Sequence, residues 1–182
     1  MKKIAVLISG SGSNLEAIAE ACRANKINGK IVCVISNNPD AYGLKRAKKF
    51  NLQSVVIDHN SFASRTEFEN KIENSLDSYD VDLIVLAGFM RILGENITKK
   101  YFGKMINLHP SLLPKYPGLD THKKVLQNGD AKHGISIHYV TPELDAGPII
   151  AQGAINITRD DNIESIETVS YTHLTLPTMI GV

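Results

Sequence analysis

Short runs of Val, Ile and Leu alternate along this chain with stretches whose apolar residues recur every three or four positions. The first kind reads as buried strand, the second as amphipathic helix. The runs Ile4–Ile8, Ile31–Ile35, Ser54–Ile57, Leu83–Ala87 and Met105–Leu108 predict strands. Helices are predicted between them over Asn14–Ala24, Gly43–Phe50, Thr66–Leu76 and Asn96–Phe102. In the first of these Leu15, Ile18, Ala19 and Cys22 share a face, and in the third Phe68, Ile72 and Leu76 stand one turn apart. Such alternation predicts an α/β domain, a mostly parallel twisted sheet with helices on both faces. Further on, Asp120–Gln127 reads as helix, Ile135–Val140 alternates more weakly, and Ile149–Ile157 is strand-like. No repeat, low-complexity tract or linker divides the chain, so residues 1–168 are expected to form one domain.

The pattern breaks at the end. Asp161–Thr168 opens a helix with an acidic first turn. From Val169 to Thr178, Ser, Thr and Tyr displace the helical spacing, and Pro177 closes it. Residues 169–182 read as a non-native tail, of the kind that in-frame readthrough of sequencing-adapter or transposon-end DNA produces, rather than as an irregular terminal strand.

Composition narrows the class. The chain has 182 residues, 43% of them hydrophobic, and a net charge of +1, which suits one core and disfavours a polyanionic partner such as nucleic acid. Lys45, Arg46, Lys48 and Lys49 read as a solvated helix face. Cys22 and Cys33 fall in apolar segments and read as buried free thiols of a reducing compartment. The apolar run after Lys2-Lys3 is too short for a signal peptide, and no segment approaches membrane-spanning length. A cytoplasmic location is expected.

Candidate chemistry gathers in three places. Met105-Ile106-Asn107-Leu108-His109-Pro110 delivers an amide and an imidazole two residues apart onto a proline-rich turn, and strand alternation points both to one side. Ser9-Gly10-Ser11-Gly12-Ser13-Asn14 follows the first strand and opens the first helix, where backbone N–H groups and the helix dipole attract an anion. A dinucleotide fits that turn poorly. Leu15 stands at the third glycine position, and the second strand ends in Ser36-Asn37-Asn38 with no acidic residue for a ribose. The Walker lysine is also missing. One phosphate monoester suits the loop better. The third place is Thr141-Pro142-Glu143-Leu144-Asp145-Ala146-Gly147-Pro148, a constrained turn whose Asp145 would stabilise an imidazolium nearby. Each also has a plainer reading, as capped strand end, helix cap and turn-capping aspartate. His122 and His138 are weaker candidates. His109, His122, His133 and His138 lack the close pairing of a zinc site, so no catalytic metal is expected.

Taken together, IAVLISGSGSNLEAI at the start, LIVLAGFMRIL at 83–93, INLHPSLLPKYPG at 106–118 and HGISIHYVTPELDAGPIIAQ at 133–152 resemble the phosphoribosylglycinamide formyltransferase family, folate-dependent enzymes of purine biosynthesis. The likeness runs from residue 3 to about 168. It implies a Rossmann-like formyltransferase fold with its C-terminal part truncated. The activity it implies is transfer of a formyl group from 10-formyltetrahydrofolate, a co-substrate, to the amine of 5′-phosphoribosylglycinamide. By the same resemblance Gly12, Ser13 and Asn14 hold the substrate phosphate, and Asn107, His109 and Asp145 form the catalytic trio. Arg65, Met90, Arg91, Ile92 and Leu93 match folate-binding positions. So do Asn107, Thr141, Pro142, Glu143, Leu144 and Asp145. The likeness departs after Thr168. There the family continues a helix whose Gln and Glu touch the glycinamide, and this chain has Tyr171 and Leu174. Other readings stay open at this point: a formyltetrahydrofolate hydrolase, a transferase for another amine, a form that binds ligand without turnover, and more distantly a nicotinamide oxidoreductase.

Overall fold

The computed structural model describes the backbone of residues 1–173 and the side chains of residues 1–168. Five strands run parallel: β1 (Lys2–Ile8), β2 (Gly29–Ser36), β3 (Ser54–Val56), β4 (Leu83–Leu86) and β5 (Met105–His109). Two more, β6 (Lys132–Tyr139) and β7 (Ile149–Asn156), join antiparallel. The order across the sheet is β3-β2-β1-β4-β5-β6-β7. Helices α1 (Ser13–Arg23), α2 (Tyr42–Lys49), α3 (Arg65–Tyr79), α4 (Glu95–Lys100), α5 (Thr121–Gln127) and α6 (Ile163–His173) connect or follow the strands.

Alternation along the parallel strands makes two cores. Ala5, Leu7, Cys33, Ile35, Ile84, Leu86 and Met105 pack against Phe68, Ile72 and Leu76 of α3 and Ile97 of α4. Their neighbours Ile4, Val6, Ile8, Val34, Val85 and Ile106 pack on the other face against Leu15 and Ile18 of α1 and Ala47 of α2. Strands buried on both faces must be apolar throughout, which is why they read as unbroken runs. The expected helices on both faces are therefore present.

Several boundaries move outward. β1 begins at Lys2, whose N–H bonds to Asn28 O at 3.1 Å, because backbone pairing outlasts the apolar run. α3 reaches Tyr79, since its Ser64 cap and the left-handed Asp80 define ends that apolar spacing does not mark. The expected break after Thr168 is corrected: α6 continues through Val169 to His173. The rest of the suspected tail, residues 174–182, lies outside the described residues. No helix among the described residues is long and apolar enough to cross a membrane.

Candidate active site

The order of strands reverses direction between β1 and β4, and ligands of open α/β sheets bind at the carboxyl ends beside such a point. A cavity of about 820 Å³ opens there. Its walls are the turn after β4 (Gly88 to Leu93), the end of β5 (Asn107 to Pro110), residues 118–123, the β6–β7 loop, and Ile163 and Glu167 of α6.

Three side chains converge at its floor. Asn107 and His109 stand on the same face of β5 as the core residue Met105, as alternation requires. Asp145 arrives from the β6–β7 loop in a left-handed conformation (φ 50°). The base of that loop is closed by Tyr139 N–H donating to Pro148 O at 2.9 Å. Asp145 Oδ2 lies 3.3 Å from His109 Nδ1 and accepts the Gly118 N–H at 2.8 Å. Its Oδ1 accepts from Asn107 Nδ2 at 3.2 Å and lies 3.6 Å from His138 Nε2. Burial opposes charge on Asp145. Neighbouring donors, the Gly118 N–H among them, and the field of His109 outweigh it and hold the carboxyl below its ordinary value.

The hydrogen bonds assign the protons. His109 Nε2 lies 2.8 Å from the Tyr116 carbonyl, an acceptor that calls for a proton on that nitrogen, and Nδ1 faces Asp145 Oδ2. His138 Nδ1 faces Tyr139 O at 2.9 Å, which makes it the donor and leaves Nε2 to accept from Asn107 Nδ2 at 3.1 Å. Asn107 thus spends both amide hydrogens on protein acceptors. The Tyr116 carbonyl is itself held. Buried Ser136 donates to Ser111 O and accepts from Leu113 N, fixing the proline-rich turn from β6.

Met90, Ile92 and Leu93, the residues expected to form an apolar wall, line the cavity. Met90, Ile92 and Leu144 are exposed and give this side of the cavity an apolar surface. Arg91, Leu93, Thr141 and Glu143 line the cavity with them. Arg65 and Pro142 do not. Arg65 sits on the first turn of α3, where Glu69 Oε1 takes its Nε at 2.7 Å. Gly12, Ser13 and Asn14 also stand off the cavity wall, at the start of α1. There Gly12 adopts φ +73°, and a Cβ on it would lie 2.5 Å from Gly43 Cα. Tyr171 and Leu174 fall beyond the described side chains.

The two weaker candidates, His138 and His122, also reach the site. His138 sits opposite Asn107 in the β5–β6 register, and only the pairing, not the local sequence, brings it there. His122 reaches the cavity and puts Nδ1 2.7 Å from Nε2 of buried His133. Burial pushes both downward, against Glu167 for His122, and His133 falls to about 4, with the fields of His122 and His109 adding to the effect. Among the described residues no cluster of three or more His, Cys, Asp or Glu is placed to share a cation. A second cavity, about 840 Å³ between the end of α5 and the start of α6, contains none of the candidate residues.

A doubly wound sheet that gathers an amide, an imidazole and a carboxylate at its carboxyl edge has the layout of an α/β transferase. Residues 2–173 match the model described as formyl transferase, and the chain belongs to that family. It is 47% identical over 163 residues to the phosphoribosylglycinamide formyltransferase of Escherichia coli (strain K12), covering 90% of this chain and 77% of that protein. The enzyme of the same name from Haemophilus influenzae is 48% identical over 92% of this chain and 79% of its own length. Among solved structures, phosphoribosylglycinamide formyltransferase from Coxiella burnetii superposes with a TM-score of 0.93 at 49% identity, covering 97% of this chain and 84% of that one.

Proposed function

We propose that this chain transfers the formyl group of 10-formyltetrahydrofolate to the amine of 5′-phosphoribosylglycinamide, with Asn107, His109 and Asp145 as its catalytic groups. The observation that carries this reading is their convergence beside an apolar cavity in a member of the formyl transferase family. Met90, Ile92, Leu93 and Leu144 form the wall against the flat folate ring, with Arg91, Thr141 and Glu143 around it and Pro142 shaping the loop that carries Thr141 and Glu143. Arg65 acts at one remove, since Glu69 Oε1 also accepts the Gly94 N–H at 2.7 Å, next to Leu93. Gly12, Ser13 and Asn14 hold the substrate phosphate at the start of α1, and this distant grip aims the amine.

The neutral amine attacks the formyl carbon, and a C–N bond forms as the carbonyl becomes an oxyanion. His109 imidazolium stabilises that charge. Asn107 must release a hydrogen to reach it. Its bond to His138 joins two neutral groups and is weaker than the charge-assisted bond to Asp145, so the His138 bond is the one exchanged for the oxyanion. Asp145 keeps His109 charged and holds it in place. As the oxyanion collapses, the bond between the formyl carbon and the folate nitrogen breaks, the proton of the attacking nitrogen passes through water to that departing nitrogen, and no covalent enzyme intermediate forms. Residues 1–168 constitute the catalytic domain, and the enzyme works in the cytoplasm on small-molecule substrates.

Purified protein given 10-formyltetrahydrofolate with and without glycinamide ribonucleotide tests this. Formyl transfer that needs the ribonucleotide is the expected result. Formate release without it would mark a hydrolase. If neither product forms, the reading is withdrawn.

A further inference from the structure

The carboxyl ends of β1, β2 and β4 meet at a side chain that the chemistry above leaves unused. Ser9, directly after β1, donates its backbone N–H to Gly88 O at 3.1 Å. Its Oγ accepts the Met90 N–H at 2.7 Å and donates its own hydrogen to Asn37 Oδ1, just past β2. Asn37 is only 4% exposed. Its backbone N–H points to Ile8 O, and its Nδ2 lies 3.2 Å from His59 Nδ1, so the acceptor is fixed from two sides. The Ser9 hydroxyl therefore gives one bond and takes one.

These contacts straddle the point where the strand order reverses. On one side Ser9 begins the loop that carries Gly12, Ser13 and Asn14. On the other, Gly88 and Met90 begin the apolar wall of the cavity. The far side of the first loop is tied elsewhere, Gly43 N–H to Gly10 O at 2.9 Å and Arg46 Nε to Ser11 O at 3.0 Å. The Ser9 contacts are thus the direct hydrogen-bonded link between the two loops among the described residues.

We propose that Ser9, backed by Asn37, is a positioning residue that couples the phosphate loop to the folate wall, so that filling either site tightens binding at the other. The inference rests on the two-substrate reading above. A ligand orders the loop it touches, and loops that share a clasp are ordered together. The second ligand then meets a site whose ordering cost is already met in part. Such coupling is reciprocal.

Tetrahydrofolate and glycinamide ribonucleotide form a pair that cannot react, because no formyl group is present. Tetrahydrofolate binding is titrated on the full chain with and without saturating ribonucleotide. Wild-type protein is expected to bind at least about fivefold tighter with the ribonucleotide present. Ser9→Ala should bring that ratio below about twofold, and Ser9→Thr, which keeps the hydroxyl, should retain it. Asn37→Ala, which strips the hydroxyl of its acceptor, is the second variant and should lower the ratio too. An undiminished ratio in folded Ser9→Ala or Asn37→Ala protein overturns the proposal, as does a wild-type ratio of one. Wild-type protein that transfers formyl without coupling defeats this inference alone. Protein that transfers none defeats the functional reading with it.

Discussion

Asn107 has two amide hydrogens, and in the free site both go to protein acceptors, Asp145 Oδ1 and His138 Nε2. The residue is thus held in a pose from which one exchange of partners delivers an N–H to the developing oxyanion. Asn107→Ala removes that donor while Asp145 keeps its bonds to Gly118 and His109. Loss of one oxyanion donor costs roughly 3–4 kcal/mol of barrier, so kcat should fall a hundredfold or more. Stopped assays of formyl transfer with near-wild-type melting would show it. A loss under about fivefold would remove Asn107 from the chemistry. At this scale the sequence was informative about side chains and silent about the backbone. Alternation along one strand placed Asn107 and His109 together, but the Tyr116 carbonyl and the Gly118 N–H carry no residue-type signature. His138 was undervalued because its partner stands 31 residues away across an antiparallel pair.

The elements set how firmly Asp145 is held. The β6–β7 loop folds back so tightly that a Cβ on Gly147 would lie 1.8 Å from Tyr139 O, a backbone atom with nowhere to go. Gly147→Ala must open the base of the loop and move Asp145, two residues upstream. A shift near 1 Å at a catalytic group costs on the order of a hundredfold in rate, and that is the expected drop in kcat. Melting should fall as well, since the Tyr139–Pro148 bond closes the same base. Near-wild-type turnover in Gly147→Ala would mean that Asp145 needs no such restraint. Parallel strands announced themselves as unbroken apolar runs because helices cover both their faces. β6 alternated only weakly for the same reason that it was hard to place. It is buried along nearly its whole length, yet it carries His133, Ser136 and His138 inward, each satisfying a neighbour or a turn. The end of α6 was misread because Ser and Thr residues are poor but not forbidden helix formers, and the backbone stays helical to His173.

Across the whole molecule, buried imidazoles tie stability to pH. His133 is 1% exposed and its Nδ1 has no hydrogen-bond partner among the described residues, so a charge there would be poorly solvated. Burial first, then the fields of His122 and His109, lower it from 6.5 to about 4. Between those values the unfolded chain binds a proton that the folded chain refuses. Stability is therefore fully present above pH 6.5 and is lost as the pH falls toward 4. From pH 7 to pH 5 this one group should remove about 2 kcal/mol. His122, lowered chiefly by burial, adds in the same direction. His133→Leu replaces the imidazole with a side chain that does not titrate. It removes the contact with His122 Nδ1 and so should start less stable at pH 7, yet its loss on acidification should be smaller by about the same 2 kcal/mol. Urea unfolding of both proteins at pH 7 and pH 5 measures the difference. Parallel losses in the two would mean that His133 is protonated in the folded state without penalty, and the burial argument for a neutral His122–His133 pair would fall with it.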